Sequence, residues 1–107
     1  MIIQLNYYLS IYISGRTPLS LAVKIKNLDM VDVLLEHNAL PEIIDESSGR
    51  TPLMFSVLLK TTIKISTLLI NFNANVNFPD YKMVTALMIA ASNKDIAHVQ
   101  LLCKHLG

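Results

Sequence analysis

Apolar residues in this chain recur at helical spacing in short, evenly placed bursts. Leu19, Ala22 and Val23 fall at i, i+3 and i+4, the positions that share one face of a helix. Thr17-Pro18 opens that helix, since proline at the first helical position gives up only an N–H that would have no intrahelical partner. The pattern predicts a helix over about Pro18–Ile25. Lys26-Asn27-Leu28 then turns the chain, and a second helix runs from Asp29, which suits the positive end of a helix dipole, through Val31, Leu34 and Leu35 to His37. Asn38 stands where a left-handed residue would end it. The same reading predicts helices over Thr51–Leu59 and Ile63–Asn71, then over Ala86–Asn93 and Asp95–Lys104, with Gly107 where a helix C-cap would lie.

These helix pairs are copies of one unit. Gly15-Arg16-Thr17-Pro18-Leu19 returns as Gly49-Arg50-Thr51-Pro52-Leu53, and a degenerate third copy, Met83-Val84-Thr85-Ala86-Leu87, follows at the same spacing of 34 residues. A period between about 20 and 50 residues with a helix pair per unit marks a solenoid, in which each unit buries its apolar face only against its neighbours. The units are residues 15–48, 49–82 and 83–107, the last truncated, and residues 1–14 read as the end of a second helix and the loop of a preceding unit. The register carries one edit. Thr17 to Asn38 is 21 residues and Thr51 to Asn73 is 22, so a residue has been added in the helical part, at the turn containing Lys60-Thr61-Thr62.

Composition narrows the function classes. At 107 residues the chain has the length of a single domain. It is 52% hydrophobic and 16% charged, too apolar for a disordered segment and rich enough to imply surface meant to be covered. Nine basic and eight acidic residues give a net charge of +1 with no Lys/Arg block, so the field that would attract a nucleic-acid backbone is missing. One cysteine, Cys103, cannot form an internal disulfide, which fits an intracellular, cytoplasmic or nuclear, reducing compartment. No apolar run approaches the ~18 residues of a membrane span.

Thr17-Pro18-Leu19-Ser20-Leu21-Ala22, with Asp29-Met30-Val31 and Val33-Leu34-Leu35 after it, resembles the ankyrin repeat, whose signature is T-P-L-H-x-A at a period near 33. Thr85-Ala86-Leu87-Met88-Ile89-Ala90-Ala91 with Leu101-Leu102 is similar, Asn73-Ala74-Asn75-Val76-Asn77 looks like the family's G-A-D-V-N segment, and Asp80 matches the acidic residue that opens the next turn. The resemblance implies an all-α ankyrin-repeat solenoid of stacked helix-turn-helix units with short β-hairpin loops. It implies a non-catalytic scaffold that binds a protein partner through a concave face made of hairpin tips and first helices. Departures from the family pattern are also visible. Its T-P-L-H histidine is Ser20, Met54 and Met88 here, its inter-helix glycine is Lys26, Lys60 and Lys94, and Leu40-Pro41-Glu42 has lost D-V-N. Looser ties between units and marginal stability are expected. Neither end shows the polar capping unit of a soluble array, so the chain reads as a fragment of a longer array with further repeats or as a decaying one, and the alternative to a scaffold is a purely structural segment of a larger repeat array.

No residue pattern points to catalysis, a metal or a cofactor. His37, His98, His105 and Cys103 fit no zinc spacing and read as surface or helix-end histidines and a small buried thiol. Asp45 and Glu46 read as a solvated turn, and no phosphate loop or nucleophile elbow occurs. Asn77 is a candidate for asparaginyl hydroxylation, since the resemblance makes it the acceptor asparagine with Leu69 eight residues before it; Asn75 replaces the acidic residue expected two positions earlier. The alternative is a hairpin residue bonded to its own backbone.

Carried over by position, the binding face takes Arg16, then Ser47, Ser48 and Arg50, then Tyr81, Lys82 and Val84 from the tips. The first helices add Lys24 and Ile25, Leu58 and Leu59, Ser92 and Asn93. Arg16 and Arg50 would give the rim a positive edge. Leu58 and Leu59 stand where a solvated face should be polar, and burying both against a partner could contribute roughly 3–6 kcal/mol before association costs. Alternatively the added residue rotates the helix and takes one of them into the core.

Overall fold

The computed structural model describes residues 16–106, so the expected remnant at 1–14 and the C-cap at Gly107 lie outside it. Six helices occur among the described residues: α1 Pro18–Lys24, α2 Leu28–Glu36, α3 Pro52–Leu58, α4 Ile63–Asn71, α5 Ala86–Ser92 and α6 Ile96–Lys104. Apart from α4, whose bounds are those read from the sequence, each is within a residue of expectation, and the difference is capping. Thr17, Thr51 and Thr85 are extended N-caps whose hydroxyls accept from the N–H three residues on, at 3.1, 3.2 and 3.3 Å. Asn27 and Asp95 cap α2 and α6 in the same way, at 3.1 Å each, so those residues stand outside the helices they start. Such caps contribute about 1 kcal/mol apiece.

Between the helices of each unit the chain makes one left-handed step, at Lys26, Lys60 and Lys94, with φ of 62°, 55° and 57°. The added residue sits immediately after the second of these steps. Asn27 and Asp95 cap the next helix directly after the lysine, whereas Thr61 intervenes before Thr62. Thr61 is buried, its hydroxyl donating to the Ser56 carbonyl at 2.9 Å, and Thr62 makes no side-chain cap bond. The edit therefore displaces the start of α4 and leaves the register of α3 intact.

The helices form two layers. α1, α3 and α5 pack side by side, α2, α4 and α6 lie behind them, and each helix also packs on its partner within the unit. Leu19, Val23, Leu53, Val57, Leu69 and Leu102 are fully enclosed between the layers. The middle unit is covered on both sides, and every residue of α3 from Pro52 to Val57 is buried. No strand forms among the described residues. The expected hairpins are reduced to turns, closed by Asp45 N–H to Arg50 O at 2.9 Å and Gly49 N–H to Asp45 O at 2.6 Å in one tip, and by Asp80 N–H to Val84 O and Met83 N–H to Asp80 O, both 2.9 Å, in the other. A ladder needs a second pair of facing residues, and these tips turn too tightly to supply it.

Candidate functional site: a cleft between two loop tips

Ser47, Ser48 and Arg50 from the first described tip and Asp80, Tyr81 and Lys82 from the next line one cleft of about 230 Å³. The first tip is folded by Asp45. Its carboxylate accepts from the Ser47 N–H at 3.2 Å, the Ser47 hydroxyl at 3.0 Å and the Ser48 hydroxyl at 3.3 Å. The second is folded by Asp80, whose Oδ1 accepts from the N–H groups of Lys82 and Val84 at 2.8 and 2.9 Å. The Tyr81 N–H donates to the Ser48 carbonyl at 3.1 Å and ties the two tips together. Arg50 Nε lies 3.6 Å from Asp80 Oδ2 across the same junction.

Gly49 makes this junction possible. Its φ is +74°, and a Cβ there would overlap the ring carbons of Tyr81. Gly49→Ala is expected to cost about 1–2 kcal/mol from the positive φ and the displaced ring, measured as a fall in the urea midpoint. Tyr81 remains 61% exposed, so its outer ring face is presented to solvent. Next to it Met83 holds φ +64° at the position of Gly49 in the previous unit, with 70% of its surface exposed.

Hydrogen bonds from the Val84 N–H, opposed by burial and assisted by the Lys82 N–H and the Arg50 charge, hold Asp80 below its ordinary value of 3.8. At Asp45 burial works against ionisation, but the Ser47 N–H and hydroxyl, the Lys24 charge and the Ser48 hydroxyl outweigh it and lower that carboxyl too. Because both folded values are depressed, the stability these carboxylates contribute is fully present above the unfolded value and lost as pH falls through the lower folded value. Acid unfolding should therefore steepen below about pH 4. Asp80→Asn should flatten that limb in a pH titration followed by circular dichroism.

The other residues expected on the binding face divide. Arg16, Ile25 and Ser92 are exposed, Ile25 at 65%. Lys24 is half-buried, its Nζ 4.4 Å from the centroid of the Phe55 ring. Asn93 is half-buried, and its Nδ2 is buried with no acceptor among the described residues. Leu58 and Leu59 are both half-buried, with Leu58 and Val84 packed against the core. On the expected positive rim, Arg16 is exposed and Arg50 faces Asp80 while its side chain keeps a third of its surface exposed. Asn77 is exposed; the side chain bonded to the backbone there is that of Asn75, which accepts from the Asn77 N–H at 2.9 Å. Asn75 is itself anchored by its N–H to Glu42 Oε1 at 2.9 Å, the residue that replaces the lost pattern of the preceding loop.

Two sequence expectations fail in the helix layer behind. Cys103 is exposed, because nothing among the described residues stacks on that side of α6. His98 is buried at 2% rather than lying on the surface. Its Nδ1 is 2.6 Å from Asp95 Oδ2 and its Nε2 2.8 Å from Ser66 Oγ, which in turn lies 2.8 Å from Ser56 Oγ. Burial opposes ionisation of Asp95, but the His98 backbone N–H, ring and charge, together with the Lys60 charge, hold it below its ordinary range. The order Asp, His, Ser is that of an acyl-transfer triad, yet Ser66 is fully buried, whereas a nucleophilic serine must meet its substrate. No group of three or more metal-binding side chains occurs among the described residues.

The profile of the family described as "Ankyrin repeats (3 copies)" matches residues 3–80 and again residues 19–107. This chain belongs to the ankyrin repeat family. It is also 36% identical over 96 residues to Putative ankyrin repeat protein FPV031 of Fowlpox virus (strain NVSL), a match covering 86% of this chain and 28% of that protein. The chain thus spans little more than a quarter of the length of this relative. Ankyrin repeats are generally protein-interaction modules and typically non-catalytic. In this ankyrin array the tie between the second and third repeats runs through Ser56, Ser66 and His98, not through the T-P-L-H position, where Met54 is simply buried core and Met88 is 54% exposed. No helix among the described residues is long and apolar enough to cross a membrane.

Proposed function

We propose that this ankyrin repeat protein is a non-catalytic scaffold that holds a protein partner against the cleft between its loop tips. The observation that carries the reading is convergence: five of the residues expected to contact a partner, Ser47, Ser48, Arg50, Tyr81 and Lys82, line one cleft. Its polar frame is fixed internally by Asp45 and Asp80, so little ordering entropy is lost on binding, and the exposed ring of Tyr81 supplies the kind of aromatic anchor that dominates interface energetics. Exposed Met83, two residues after Tyr81, adds apolar area to that tip. The partner meets a surface with apolar anchors and hydroxyl rims, and affinity rests on those anchors and not on a charged edge. The lone exposed cysteine suits a reducing, intracellular setting, and the longer relative supports a parent chain with further repeats.

The test compares the intact chain with Tyr81→Ala/Met83→Gly in pull-downs from cell lysate, after circular dichroism shows equal helicity. The proposal expects a captured protein to be lost from the variant. Capture undiminished by the variant would move the binding surface elsewhere. The exposure of Asn77 favours a second reading, in which the chain is a substrate or competitor of an asparaginyl hydroxylase. Mass spectrometry of native material should then show one added oxygen on Asn77, and an unmodified peptide would exclude it.

A further inference from the structure

We infer that His98 carries a proton on both ring nitrogens in the folded protein, and that this proton closes a clasp between the second and third repeats. The argument is a count of hydrogens along the buried row. The Ser56 hydroxyl lies 2.6 Å from the Leu53 carbonyl, which has no hydrogen of its own, so the single hydroxyl hydrogen of Ser56 is spent there. Ser56 Oγ must then accept from Ser66 Oγ, 2.8 Å away, which spends the only hydroxyl hydrogen of Ser66. Ser66 Oγ can consequently face His98 Nε2, also at 2.8 Å, only as an acceptor, and Nε2 must be protonated. On the other side of the ring Nδ1 faces the Asp95 carboxylate at 2.6 Å, a contact that also needs a hydrogen. Neutral histidine has one ring hydrogen, and this row uses two. Were the ring neutral, two lone pairs would meet somewhere between Leu53 and Asp95 inside a core that holds Ser56 and Ser66 at 0% exposure.

The surroundings support a cation. Among the described residues, Asp95 is the carboxylate against the ring. Lys60, whose charge reaches Asp95, sits at the turn before α4, and Lys94 adjoins Asp95 in the turn before α6. Of the helices packed around the ring, α3 and α5 hold no titratable side chain. α4 has Lys64 alone, exposed on the side facing α2, and α6 adds only Cys103 and Lys104, both exposed. The clasp joins residues 32 positions apart in sequence, so its hydrogens bear on how the third repeat docks on the second.

Ser56 supplies the discriminating variant. Ala22 and Ala90 occupy its position in the flanking repeats, so Ser56→Ala fits the backbone. It frees the Ser66 hydrogen to donate to Nε2, and His98 should then become neutral with its hydrogen on Nδ1. Ring nitrogen-15 spectra of the intact chain at pH 7 should show hydrogens on both nitrogens of His98 in the natural sequence and a bare Nε2 in Ser56→Ala. A bare nitrogen in the natural sequence, or no change of the ring on substitution, would overturn the inference.

Discussion

Leu69→Ala is expected to lower the free energy of unfolding by about 3–5 kcal/mol. Leu69 is completely enclosed in α4, the central helix of the rear layer, with α2 and α6 on either side and α3 in front. Neighbours on three sides cannot all relax into the space, so the loss combines the transfer energy of the removed methyl groups with a cavity. In a solenoid the damage is not local. The middle unit provides the burying surface for both others, and weakening it uncouples them. A domain of this size commonly has only about 5–15 kcal/mol in hand, so the variant should unfold at a much lower urea concentration. Leu21→Ala, at a position 48% exposed in α1, should change the midpoint little. Equal effects at the two sites would mean that the layers do not pack as described.

Replacing Lys26, Lys60 and Lys94 together with glycine should stabilise the protein by about 1.5–3 kcal/mol. Each lysine is exposed and holds a φ between 55° and 62°, where a Cβ crowds the following carbonyl. Glycine removes that strain, and its extra freedom in the unfolded chain returns part of the gain, leaving about 0.5–1 kcal/mol per site. Lys60 should give the smallest increment because its charge also favours Asp95. For a domain of this length the sum corresponds to a rise in melting temperature on the order of 10 °C, read by calorimetry. A fall in all three single variants would show that the lysines contribute more through their side chains than they cost in backbone conformation.

The features legible in the sequence were those repeated within it. Thr-Pro at a spacing of 34 fixed the helix starts, and comparing Asn38 with Asn73 located the added residue in the turn where Thr61 is found. The tip cleft was legible for the same reason, since loops at equal register are brought side by side by stacking. The Asp95–His98–Ser66–Ser56 row escaped because it belongs to no single repeat. It forms only when residues of α3, α4 and α6 are superposed in space, although a signal existed: Ser56 stands where the other units have Ala22 and Ala90, and Ser66 where they have Val31 and Val99. Serines at two apolar framework positions beside a histidine in the following unit mark a buried polar contact. Cys103 is exposed at the register position where Leu35 is buried and Ile70 half-buried, because no described unit packs on the far side of α6. Leu58 and Leu59 were ambiguous for a related reason. They end a short helix, where pattern alone does not decide between core and edge.

Site-specific photo-crosslinking tests the central claim most directly. A benzophenone side chain is placed at Tyr81 in the tip cleft of one protein and at Lys64 on the rear layer of another, and each is irradiated in cell lysate. The account predicts discrete crosslinked protein adducts from position 81 that are absent from position 64 and abolished by Met83→Gly. Adducts from position 64 alone would contradict it and place the binding surface on the opposite side of the stack.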